Sequence, residues 1–114
     1  LPPEHQSFLD SLGDFYIEGE YFFTHAAYDP DVELEEQEVT MLRWHSLTDG
    51  IPPCHKSGRT AVVGHTANRG GEILDSGHLI CLDTYCYGGG WLTAMDMDSR
   101  QMWQANKEGQ LRIE

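Results

Sequence analysis

Two short apolar segments of this 114-residue chain run directly into a histidine, and they limit the fold more than any other feature. "YFFTHAA" sets Tyr21, Phe22 and Phe23 before His25, Ala26 and Ala27, and "TAVVGHTA" sets Ala61, Val62 and Val63 before Gly64 and His65. Aromatic and β-branched runs of this length, bounded by turn chemistry, form sheet strands. A strand fixes where an imidazole stands, and small neighbours such as Ala26, Ala27 and Gly64 would let a metal or substrate approach the backbone. Ligands also gather at the carboxyl ends of strands in open α/β sheets. A histidine at a strand end is more often an ordinary hydrogen-bonded packing residue, and spacing alone leaves both readings open.

The other elements follow from periodicity and punctuation. Phe8, Leu9, Leu12 and Phe15 recur at helical spacing, with Gly13 as a stop, which predicts a helix over Glu4 to Leu12. "YDPD" is a turn. "VELEEQEVTMLRWHSL" predicts a second helix with an acidic first turn and Leu34, Val39, Leu42 and Leu47 on its apolar side. "TDGIPPCHKSGR" is a loop by its Gly and Pro content. "GEILDSG" and "HLICLDTYC" predict two strands around Asp75-Ser76-Gly77, and the segment from Gly89 to Asn106 a hairpin turning at Asp98-Ser99-Arg100, with Trp91, Met95 and Trp103 in its core. "KEGQLRIE" is a tail or a last edge strand. The order predicts an α+β domain, one unit over residues 1–114, with antiparallel carboxyl-terminal strands.

Charge and cysteines narrow the function classes. The net charge is −12, and the first basic residue is Arg43. Nucleic acid and anionic membranes need a positive footprint, so neither is an expected partner. No apolar run reaches the roughly 18 residues of a membrane helix, and no signal peptide is visible. Cys54, Cys81 and Cys86 make an odd count that disfavours a disulfide framework and points to a reducing, cytoplasmic setting. The spacing of Cys81 and Cys86 is wider than the usual zinc hook, which argues against a zinc site with His65 or His78. His5, His45, His55 and His78 read as surface or loop residues.

"FFTHAAYDPDVELEEQ", "VVGHTANRGGEILDSGHLICLDTYC" and "GGWLTAMDMDSRQMWQA" together resemble the second half of the calcineurin-like metallophosphoesterases, most narrowly the bacterial serine/threonine protein phosphatases and symmetrical diadenosine tetraphosphatase. The resemblance runs over essentially the whole chain. It implies the second half of a four-layer αββα sandwich with a mixed sheet, and it makes His25 and His65 ligands to one ion of a two-metal centre, manganese foremost, with iron or zinc as alternatives. Tyr85 and Cys86 fall where eukaryotic members border the substrate, although bacterial members carry Gly at the Tyr85 position, and Ala27 stands where the family has Gly. The family's phosphate-binding arginine has two candidates, Arg43 and Arg69; aligning Trp44 with the family tryptophan leaves Arg43 off the expected position. Asp83 is a candidate hydrogen-bond partner behind a ligating histidine, or a cap for the turn that follows it.

Three motifs of the family do not occur: Asp-x-His, Gly-Asp-x-x-Asp-Arg-Gly and Gly-Asn-His-Glu. They carry the first metal's ligands, the bridging carboxylate and a histidine acid. The resemblance therefore implies the carboxyl-terminal half of a phosphatase acting on a phosphorylated protein or a small phosphoester, and an isolated chain without appreciable activity. Hydrolysis of dinucleoside polyphosphates is a close variant. A reading of another class is a degenerate half-domain used for binding or assembly, self-associating through the sheet face it leaves open.

Overall fold

In the computed structural model, which describes residues 1–113, the two predicted strands form as Tyr21–Thr24 (β2) and Thr60–Val63 (β3) and lie side by side in parallel. Leu79–Cys81 (β5) pairs in parallel with the other edge of β3. Two antiparallel strands flank this parallel centre: Phe15–Glu18 (β1) on β2, and Leu74–Asp75 (β4) on β5, around the predicted Asp75-Ser76-Gly77 turn. The mixed sheet has the order β1-β2-β3-β5-β4. Asp83–Thr84 (β6), Trp91–Met95 (β7) and Met102–Ala105 (β8) make a separate antiparallel sheet. The domain is α+β, as the element order predicts.

Register explains the burial. Phe22, Ala61 and Leu79 are paired across the strands, as are Val63 and Cys81, so all five share one sheet face. On that face they form the core with Ala27, Tyr28, Leu34 and Leu47. Val62 and Ile80 are paired on the opposite face and are also buried. Strands covered on both sides read as continuous apolar runs, which is why "AVV" and "LIC" carry no alternation. The two sheets are tied by Arg100, which donates to the Tyr21 hydroxyl at 3.1 Å and pairs with Asp75 at 3.5 Å. The tail meets the second sheet through an Ala105–Leu111 bridge and the Arg112 amide on the Gln104 carbonyl.

Four expectations need correction. The first helix (α1) spans Pro3–Asp10, no residue in it is buried, and Phe15 belongs to β1 instead. The single acidic helix is three pieces: a 3₁₀ turn at Leu34–Glu36, a helix at Val39–Trp44 (α2) and a 3₁₀ turn at Leu47–Asp49. Like charges at helical spacing (Glu33 with Glu36, Glu35 with Glu38) oppose a continuous helix. The Gln37 amide completes the break by donating to the Asp29 and Val32 carbonyls at 2.9 Å, a local alternative to helical bonding. Val39 and Trp103 are each about half exposed rather than core. His55 is the opposite case: it lies in a loop, one of the two places expected for it, but is 3 % exposed and so not at the surface.

Candidate functional site

The parallel centre of the sheet delivers three segments to one rim. β2 leads into His25, β3 into Gly64 and His65, and β5 into Leu82 and Asp83. Backbone pairing continues past the strands, with Gly64 N–H donating to the His25 carbonyl at 2.8 Å and Leu82 N–H to the Val63 carbonyl at 2.9 Å. The imidazoles of His25 and His65 face each other at a centroid distance of 5.1 Å and an interplanar angle of 62°. Among the described residues no hydrogen bond engages a ring nitrogen of either histidine.

The His65 backbone is itself unusual. It sits at φ 65°, the left-handed region where non-glycine residues are uncommon and which clusters at functional sites. Thr66 N–H donates to the Gly64 carbonyl at 2.6 Å and closes a three-residue turn around it. The buried Cys81 thiol braces that turn, its one proton within reach of both the Gly64 and Thr66 carbonyls at 3.5 and 3.4 Å. From above, the Thr66 hydroxyl accepts the Leu47 N–H at 2.8 Å. Thr24 does the same work for His25, its hydroxyl donating to the carbonyls of Asp14 (2.9 Å) and Leu42 (3.1 Å). Thr66 and Thr24 were not singled out from the sequence. A threonine beside each histidine was the only signal available, and threonine is common in strands.

Electrostatics favour the neutral form of His25. Burial first, and the neighbouring His65 second, hold the His25 imidazole below its ordinary pKa; Arg43 acts in the same direction and Asp83 against it. A neutral imidazole keeps one ring nitrogen with a lone pair for a ligand. A separation of 5.1 Å between ring centres leaves room for one divalent ion between the rings, imidazole nitrogens ordinarily binding such ions at about 2.0–2.1 Å. Among the described residues no group of three or more His, Cys, Asp or Glu side chains converges as a metal site. The chain thus presents two donors for one ion, not a full coordination set.

The other sequence candidates scatter around this rim. Arg43 is ion-paired with Asp14 at 2.6 Å and lines the same cleft as His25. Arg69 lies on the loop after His65 with its guanidinium 5.7 Å from the centre of the Tyr85 ring. Asp83 caps the following turn by accepting the Tyr85 N–H at 3.2 Å. Tyr85 has φ 71° and opens a 3₁₀ turn at Cys86–Gly88; both Tyr85 and Cys86 are partly exposed. His78 donates to or accepts nothing from the pair; its Nε2 engages the Pro52 carbonyl at 2.7 Å.

The small residues beside the histidines have a different cause from the one expected. Ala26 and Ala27 are fully buried, so they are small because the core packs against them and not because a ligand approaches. A Cβ at Gly64 would meet only the His25 carbonyl, at 3.5 Å, an ordinary contact. Trp44 is the residue the sequence undervalued: it is 70 % exposed and stands edge-on to His65 with centroids 6.4 Å apart. No helix among the described residues is long and apolar enough to cross a membrane. Comparison of the chain with protein-family models, curated proteins and solved structures gives no match.

Proposed function

We propose that this chain is the metal-binding carboxyl-terminal half of a calcineurin-like metallophosphoesterase domain, of the serine/threonine protein phosphatase type. The observation that carries the reading is the convergence of His25 and His65 from adjacent parallel strands, with no hydrogen bond to their ring nitrogens among the described residues. In this reading the mixed sheet is one of the two inner layers of the αββα sandwich. His25 and His65 hold one divalent ion, manganese foremost, and the remaining ligands come from segments that contain the motifs missing here. A two-metal centre activates water and stabilises the charge of an in-line displacement at phosphorus. This chain's own part is to hold two imidazoles in fixed positions at the rim of the sheet, beside the Asp83 carboxylate.

Isothermal titration with Mn²⁺ tests the reading. The wild-type chain should bind one ion, and His25→Ala or His65→Ala should each abolish binding. Unchanged affinity in both variants would sink the metal assignment. The chain alone should not turn over p-nitrophenyl phosphate measurably, because the bridging carboxylate is lacking. Mn²⁺-dependent turnover lost in His65→Ala would contradict that half-site view. In a protein that also carries the missing motifs, comparing phosphopeptide with diadenosine tetraphosphate separates the two substrate classes.

A binding or assembly role has one observation in its favour: Phe8, Leu9, Leu12 and Tyr16 expose about half or more of their surface around α1 and β1. Sedimentation equilibrium reads it directly, as a concentration-dependent dimer whose formation is indifferent to His25→Ala.

A further inference from the structure

We infer that the phosphoester presented to the histidine pair carries an aromatic group beside its phosphate, held in an apolar cleft next to His25. The inference rests on the metal-site reading above and adds the substrate class. The cleft is an open groove of about 700 Å³ between α1, the β1–β2 hairpin and α2, and His25 is one of its walls. That volume lies in the range of about 300–1,000 Å³ typical of small-molecule sites. Its apolar lining is Leu9, Leu12, Phe15, Phe23 and Trp44.

Charge in the cleft is already spent. Arg43 donates from Nε and from Nη2 to the same Asp14 oxygen, at 2.7 and 2.6 Å, so the pair is neutral and the cleft offers no unpaired cation for a second phosphate or an acidic side chain. An indole 70 % exposed beside the histidines is the group an aromatic ring stacks on. Trp44 is also close to the metal-ligand candidates: its ring lies nearly perpendicular to that of His65 with centroids 6.4 Å apart, so a ring stacked on the exposed indole would stand beside a phosphate on the imidazoles. A short aliphatic ester would fill neither the volume nor the indole face.

The test uses the chain with Mn²⁺ and two probes, phenyl phosphate and methyl phosphate. Phenyl phosphate should bind about tenfold more tightly, the gain a stacked ring typically brings. In Trp44→Ala that ratio should fall to about twofold or less. Equal affinity of the two probes in the wild type overturns the inference. The cleft is also read without metal, by NMR with p-cresol: shifts at Leu9, Phe23 and Trp44 support it, and their absence overturns it whatever Mn²⁺ does. Loss of Mn²⁺ binding with p-cresol shifts intact would instead defeat the metal assignment alone. A dimer that blocks the p-cresol shifts overturns the inference and gives the cleft to a second copy. A phosphotyrosyl peptide binding more tightly than phenyl phosphate assigns the ring to a protein substrate, and equal binding assigns it to a small aryl phosphate.

Discussion

His55 and His25 are the same side chain under opposite conditions. His55 is 3 % exposed, packed edge-on against Phe22 and Tyr28 at centroid distances of 5.3 and 5.9 Å. Both its nitrogens are used within the chain. Nδ1 accepts the Ser57 N–H at 3.1 Å, so the ring proton is on Nε2, which donates to the Val32 carbonyl at 2.8 Å. His25 is exposed at the sheet rim, and among the described residues nothing engages its nitrogens. A histidine whose every nitrogen is engaged holds two loops together. One that is rigidly placed and left unpartnered is available for a ligand.

Truncation separates the two most sharply. His55→Ala removes the packing against Phe22 and Tyr28 and leaves the Val32 carbonyl and Ser57 N–H without partners, at a cost of about 2–4 kcal/mol. His25→Ala removes an exposed ring and should stay within about 0.5 kcal/mol of wild type. Urea unfolding measures both. A large loss at His25 would show it to be a fold residue after all.

High pH probes the same core from its other aromatic. Tyr28, 2 % exposed, donates its hydroxyl to the Pro53 carbonyl at 2.8 Å, and burial first, then the Cys54 thiolate, push its pKa up to about 12. The unfolded phenol ionises near pH 10. The folded state keeps its proton longer, so the stabilisation is fully present below pH 10 and is lost as pH rises from 10 to 12. Two pK units correspond to about 2–3 kcal/mol. Tyr28→Phe should be flatter over that window, and an identical alkaline slope would refute the assignment.

How much of this was legible beforehand divides along the same line. The strands at Tyr21–Thr24 and Thr60–Val63 and the hairpin turn at Asp75-Ser76-Gly77 were readable because local composition and final burial agree there. So was the pairing of His25 with His65 as candidates, since each ends a strand. The break in the acidic helix depends on what the Gln37 amide reaches, a contact set by tertiary placement. The burial of His55 was hidden in a loop whose Gly and Pro content reads as solvent-exposed. The reason for Ala26 and Ala27 was misjudged because a small residue looks the same in sequence whether it clears space for a ligand or for the core. Trp44 and Asp14 were unreadable as cleft residues because α2 and the segment before β1 meet only in space.

A smaller effect concerns the support of the rim. Thr66→Val keeps the side-chain shape and removes the acceptor of the Leu47 N–H, whose residue is buried. The expected loss is about 1–2 kcal/mol by urea unfolding. The same variant should weaken Mn²⁺ binding, since the turn that aims His65 loses its outer brace. Binding at wild-type strength would show that Cys81 alone holds the turn.

The smallest shift has the opposite sign. At φ 65° His65 occupies backbone space that disfavours any side chain, by roughly 1–2 kcal/mol per residue for a full left-handed conformation. Glycine adopts it freely but loses more entropy on folding, so His65→Gly should gain about 0.5–1 kcal/mol net. His65→Ala keeps the strain and loses the ring, so it should be no more stable than wild type. The order Gly above His, with Mn²⁺ binding absent in the glycine variant, would mean that the chain is stabler without its second imidazole. Strain kept against stability at that one position, while His55 is used to increase stability, is what a site under functional demand produces. If glycine instead destabilises the chain, the His65 ring is holding the turn, and the contrast between rim and core fails at the residue on which it most depends.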